Sequence, residues 1–122
     1  MHLFEAAIDL LSYATLLKAQ GKDYKSENLL SLSGVYQPKK ESKDSKIPIA
    51  LSVFLEKNPL IKMIHLHLDN DKTGRLCANT LKELLRNKYE VFDEPPKKGK
   101  DYNDYLCIQL GIYQSKERSY ER

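Results

Sequence analysis

Short apolar runs alternate with segments of helical period along this chain, and that alternation sets the expected fold. Residues 1–4 read as a short first strand that meets Glu5 at once. Residues 6–19 read as a helix, with Ile8, Leu11, Ala14 or Thr15, and Lys18 at helical spacing and Gly21 as the stop. Residues 28–32 form a second strand candidate, closed by Ser33-Gly34. Residues 37–46 hold no apolar anchor and read as a solvated, mobile loop. Pro48 opens a helix that offers Ile49, Ala50, Val53 and Phe54 on one face and ends before Asn58-Pro59. Residues 61–68 are the third strand, and residues 73–87 the third helix, with Leu76, Leu81, Leu84 and Leu85 expected inward. Residues 89–92 are a fourth strand, followed by a rigid basic turn over residues 95–100. Asp101 or Asn103 then caps a last helix through Leu110, stopped by Gly111, and residues 115–122 read as a charged, frayed tail.

Strands separated by helices imply an α/β fold: a mainly parallel four-stranded sheet flanked by helices. Parallel strands deliver their carboxyl ends to one edge, where open α/β sheets place ligands. Glu5 closes the first strand, and Asp9 lies one helical turn further on the same side. Asp69 and Asp71 close the third strand one residue apart, so regular strand geometry projects them together. Two adjacent carboxylates repel, and a hard divalent cation held by oxygen, Mg2+ or Mn2+, relieves that repulsion.

Other readings of the stretch from Asp69 to Gly74 can be weighed. Asp69, Asp71, Thr73, Gly74 and Leu76 fit an EF-hand loop at its positions 1, 3, 5, 6 and 8, but Thr80 stands where the bidentate glutamate belongs. The stretch also resembles the DxDxT of haloacid-dehalogenase-type phosphatases, with Asp69 as nucleophile. That motif normally sits on the first strand, whereas here about half the chain precedes it. A helix N-cap explains one acid, not two.

Composition narrows the picture only a little. At 122 residues the chain has the length of one domain, and its net charge of +3 does not by itself argue for nucleic acid. Cys77 and Cys107 lie far apart with no CxxC, as in reduced thiols of a cytoplasmic protein. No apolar run approaches membrane-spanning length and no secretory leader is visible, so a cytoplasmic location and no membrane partner are expected. The abrupt start suggests a first strand cut close to its N-terminus. His65 and His67 share a face with Asp69; hydrogen-bonded strand histidines are expected in preference to a transition-metal site. Tyr102 and Tyr105 are expected to pack on the sheet in preference to stacking on bases.

Three acidic segments together resemble the Toprim domain shared by bacterial primases, type IA and type II topoisomerases and some nucleases. Phe4-Glu5-Ala6-Ala7-Ile8-Asp9 is similar to its glutamate motif, and residues 68–74 to its DxDxxG motif. Gly99-Lys100-Asp101-Tyr102-Asn103-Asp104 resembles the GKDPDE segment of primase-type members. The resemblance is closest to the Toprim-like domain of primase-like proteins on bacterial plasmids and conjugative elements. It implies a Rossmann-like Toprim fold over residues 1–113, with residues 114–122 as a tail. It implies Glu5 as metal ligand or general acid/base, Asp69 and Asp71 as Mg2+ ligands, and Asp9 and Asp101 as ligands of another ion. Lys72, Arg75, Lys97, Lys98 and Lys100 are candidates for holding phosphates of DNA, RNA or nucleotides. Two departures stand out: Ala6 replaces a usual glycine, and Asn103 stands where primases carry an aspartate.

No zinc-ligand quartet, P-loop or topoisomerase-type tyrosine motif accompanies these acids. The expectation is therefore a primase-like catalytic fragment of a mobile-element protein, acting in nucleotidyl or phosphodiester transfer with companion domains elsewhere. The alternatives are a non-catalytic nucleic-acid or protein interaction module, and an aspartyl-phosphate phosphatase.

Overall fold

The computed structural model describes residues 1–32 and 46–112. The elements are β1 (His2–Phe4), α1 (Ala7–Ala19), a 3-10 turn (Tyr24–Ser26), β2 (Leu29–Ser31), α2 (Ile49–Lys57), β3 (Met63–Leu66), α3 (Lys72–Leu85), β4 (Glu90–Asp93) and α4 (Tyr102–Gln109). The expected polar loop over residues 37–46 lies, except for Lys46, outside the described residues, as does the tail. No helix among the described residues is long and apolar enough to cross a membrane.

The sheet has four strands in the order β2-β1-β3-β4, all parallel. β1 is central: His2 pairs with both Leu29 and His65. The chain leaves β1 toward one edge of the sheet and leaves β3 toward the other. The gap between the carboxyl ends of β1 and β3 is therefore a topological switch point, where a doubly wound sheet opens a crevice.

Strand alternation gives the two faces different chemistry. Leu3, Ile64, Leu66 and Leu68 are fully or almost fully buried and pack with Leu51 and Leu55 of α2 and with Cys77, Ala78, Leu81 and Leu85 of α3. The other face carries His2, Phe4, His65 and His67. There Phe4 packs with Leu16 of α1 and Tyr102 of α4, with Tyr105 beside them. The imidazole planes run nearly parallel: the His2 ring centre lies 4.6 Å from that of His65 and 4.9 Å from that of His67. Phe4 stacks on His67 at 5.0 Å.

A hydrogen-bond chain crosses this layer. Glu27 Oε1 lies 2.6 Å from His2 Nε2, and His2 Nδ1 lies 2.7 Å from His67 Nε2. His67 Nδ1 then meets the Tyr102 hydroxyl at 3.0 Å. The Glu94 carbonyl closes the chain: it accepts from the Tyr102 hydroxyl at 2.9 Å and lies 3.1 Å from His67 Nδ1. Burial, then the neighbouring His2, pushes His67 down to about 3, so it stays neutral. Each of His2, His65 and His67 has a hydrogen-bond partner, as expected of hydrogen-bonded strand histidines.

Three helix faces differ from expectation. Ile8 and Leu11 of α1 are exposed, while Asp9, Ser12 and Leu16 turn inward. Ile49 and Val53 of α2 are exposed, and Leu51 and Leu55 are the buried pair. Leu76 of α3 faces solvent, and Cys77, Ala78 and Leu81 take the interior.

Candidate metal centre

The site is assembled at the switch point from three element ends. β3 leads through Leu68 into Asp69, whose side chain follows His65 and His67 onto the α1/α4 face. Asp9 sits in the first turn of α1 and is only 3% exposed. Asp101 is the N-cap of α4, its Oδ1 accepting from Asp104 N–H at 2.8 Å. Asp9 and the start of α4 are tied together, since Asn103 N–H donates to Asp9 Oδ1 at 3.2 Å. The result brings one carboxylate oxygen from each of Asp9, Asp69 and Asp101 within 4.8 Å of one another.

Electrostatics show what this group lacks. Burial, with the Glu5, Asp9, Asp101 and Asp71 carboxylates beyond it, pushes Asp69 up to about 7. Burial, then Asp101, pushes Asp9 up to about 6. Burial and the nearby Asp71 raise Glu5, against a smaller opposing pull from Lys100. Acids crowded in this way release their protons reluctantly unless a cation shares the space. The donor set is all carboxylate oxygen, the chemistry that Mg2+ and Mn2+ prefer over softer metals.

The other expected site residues divide by geometry. Glu5 follows β1 at the same edge and is half-buried, within electrostatic reach of Asp69, Asp71 and Asp101. Asp71 is the N-cap of α3, with Oδ1 accepting from Gly74 N–H at 2.7 Å. Its other oxygen faces Lys100 Nζ at 3.6 Å. Arg75 is already engaged: Nη1 pairs with Asp93 Oδ2 at 2.7 Å, and its other nitrogens reach the Leu68 and Asp69 carbonyls at 3.4 Å. That pattern ties β4 to the β3–α3 turn. Arg75→Leu should therefore cost about 1 kcal/mol in chemical denaturation, the scale of a partly exposed pair. Lys72, Lys97 and Lys98 are exposed and have no ion pair among the described residues. Lys97 borders a cavity of about 320 Å³ beside Tyr13, Tyr102 and Tyr105.

Two structural parts of the site carry no charge: Gly74, the glycine of the DxDxxG segment, and Ser12, which the sequence did not single out. Gly74 lets α3 ride on the Asp69 backbone; a Cβ there would stand 2.0 Å from the Asp69 carbonyl oxygen. Ser12 holds Asn103, donating to Ile8 O at 2.8 Å and lying 3.2 Å from Asn103 Oδ1. Asn103 thus braces α1 against α4.

A parallel sheet, a crevice between β1 and β3, and a carboxylate cluster at that crevice define an α/β domain with a candidate metal site. The family profile described as Toprim-like matches residues 2–106, and the chain belongs to that family. Membership supports a metal-dependent, nucleic-acid-related function, and the acidic cluster suits the Mg2+ that Toprim domains typically bind. No curated protein and no solved structure matches the chain significantly.

Proposed function

We propose that this domain is a Mg2+- or Mn2+-dependent centre for nucleotidyl or phosphodiester transfer on DNA or RNA. We assign it to the primase-like kind carried by mobile elements such as plasmids. The observation that supports this most is the convergence of Asp9, Asp69 and Asp101 at the switch point. In this reading residues 1–113 are the Toprim-like unit, residues 114–122 a tail, the location is cytoplasmic, and companion domains supply template binding.

A divalent ion held there neutralises charge that develops on the phosphoryl oxygens. The protein's own groups do the rest. Asp9, Asp69 and Asp101 hold the ion, each oriented by its place at a helix start or strand end. Glu5 stands beside them with a raised pKa, suited to take a proton from an attacking hydroxyl or return one to a leaving oxygen. Lys72 and Lys98 are cations on the solvent side that can hold phosphates in line. Asp71 supports the centre through the α3 cap.

The test is turnover of labelled DNA and RNA, with and without nucleoside triphosphates, under Mg2+ or Mn2+. Glu5→Gln should lower the rate about 100-fold while Mn2+ affinity changes only a few-fold. Metal and nucleic-acid binding without turnover would replace this reading with an interaction module. A beryllofluoride adduct on Asp69 would replace it with the phosphatase.

A further inference from the structure

The acidic edge holds more carboxylates than the three that converge. Glu5 and Asp71 flank the cluster on its solvent side and could hold a second ion. The structure places a cation there already. Lys100 Nζ lies 3.6 Å from Asp71 Oδ2. Its charge is felt by Glu5, and it is itself stabilised by Asp71, then Asp69 and Asp101. The ammonium therefore faces the outer side of the site, while Asp9 lies on the inner side against α4.

The backbone that delivers Lys100 is fixed on both sides. Gly99 turns with φ +82°, a left-handed conformation that favours glycine. A Cβ on Gly99 would also stand 2.6 Å from the Asp104 Cβ. Lys100 N–H donates to Asp104 Oδ2 at 3.1 Å, and its carbonyl accepts from Asn70 N–H at 2.5 Å. Residue 100 is thus clamped between the α4 cap and the β3–α3 turn. Its side chain extends from this clamp to Asp71.

We propose that Lys100 is a resident counter-ion standing where a second metal ion would bind, so that the edge takes a single divalent ion at Asp9, Asp69 and Asp101. This rests on the metal-site reading above. The physical reason is exclusion by charge: a tethered ammonium paired with Asp71, its charge also reaching Glu5, repels a second dication and occupies the oxygen of Asp71 that would ligate it. Asn103 agrees with this arrangement, since its side chain is held by Ser12 and adds no further carboxylate.

The experiment is Mn2+ titration followed by calorimetry and by the electron paramagnetic resonance of free Mn2+, at neutral pH and without nucleic acid. Wild type should take up a single equivalent. Lys100→Gln should take up a second equivalent, and Lys100→Arg should not. Lys100→Gln combined with Asp71→Asn should return to one, because the outer ligand is gone. Circular dichroism and thermal melts of each variant check that Lys100→Gln and Lys100→Arg fold as wild type does. A second equivalent on wild type or on Lys100→Arg, or no second equivalent on folded Lys100→Gln, overturns the proposal for Lys100 and leaves the metal centre standing. No Mn2+ uptake by wild type overturns both.

Discussion

In a thermal melt at pH 8, saturating Mn2+ or Mg2+ should raise the melting temperature of the wild-type chain by roughly 10 °C, and Asp69→Asn should lose that response. A ligand at 100 times its Kd stabilises by about 2.7 kcal/mol, which for a domain of this size is a shift of that order. Metal-free Asp69→Asn should also melt above metal-free wild type. The sign follows from the pKa values. Asp69 is held at about 7 in the fold against an ordinary 3.8, and Asp9 at about 6. A carboxylate whose folded pKa is raised favours the fold while protonated. That contribution is complete below the unfolded pKa near 4 and is lost as pH rises through the folded pKa near 7.

The gap between Asp69→Asn and metal-free wild type should therefore be small at pH 4, open between pH 4 and 7, and level off above. Solvent screening and shared titration across the cluster bring its plateau to on the order of 2 kcal/mol. Protons and metal compete for the same oxygens, so the metal shift should grow over the same window. If wild type shows no metal shift, and Asp69→Asn is the less stable protein without metal, the acids form a hydrogen-bonded cap network and the interaction module is the better account.

The parallel pairing of the strands was legible in the residues, because it depends on local pattern. Apolar runs that stop at Glu5 and at Asp69 mark strand ends whatever packs around them. The distance between acids was not legible. Asp9 and Asp101 meet only because α1 packs on α4, through contacts such as Asn103 with Asp9 and with Ser12. Asp71 shares the DxD spacing with Asp69, yet the α3 cap turns its side chain to Gly74 N–H.

Helix faces were misread for a related reason. The inner face of α1 is built from Asp9, Ser12, Tyr13 and Leu16, because it covers the acidic site and the histidine layer. Apolar spacing therefore pointed to Ile8 and Leu11 on the outside. In α2 the pairs Ile49/Val53 and Leu51/Leu55 are equally periodic, and only the sheet selects the second. His2 joined the histidine layer through the pairing of β1 with β3, which its spacing in the chain does not announce.

Gly74→Ala should be a damaging small substitution, lowering stability by about 1–3 kcal/mol and removing the Mn2+ response with it. Alanine is favoured over glycine inside a helix by about 1 kcal/mol, so propensity alone predicts a gain. Sterics decide the other way. The added Cβ would lie 2.0 Å from the Asp69 carbonyl oxygen and 2.7 Å from its carbon, both backbone atoms that no rotamer change can move. Either α3 lifts away from the strand end or the turn at Asp69 re-forms. Lifting α3 disturbs the packing of Cys77, Ala78 and Leu81 against the sheet. It also breaks the cap from Asp71 to Gly74 N–H and the reach of Arg75 to the Asp69 carbonyl. Overpacking costs about 1–3 kcal/mol and a lost cap about 1 more, which together exceed the propensity gain. Re-forming the turn moves the Asp69 carboxylate out of its cluster with Asp9 and Asp101. Asn79→Ala, at an exposed position of the same helix, is the control and should be neutral or slightly stabilising. Urea denaturation of both variants, read as a change in midpoint at constant slope, measures the difference. If Gly74→Ala matches wild type in midpoint and in Mn2+ response, α3 does not rest on the Asp69 backbone, and the glycine of this motif has no structural hold on the metal centre.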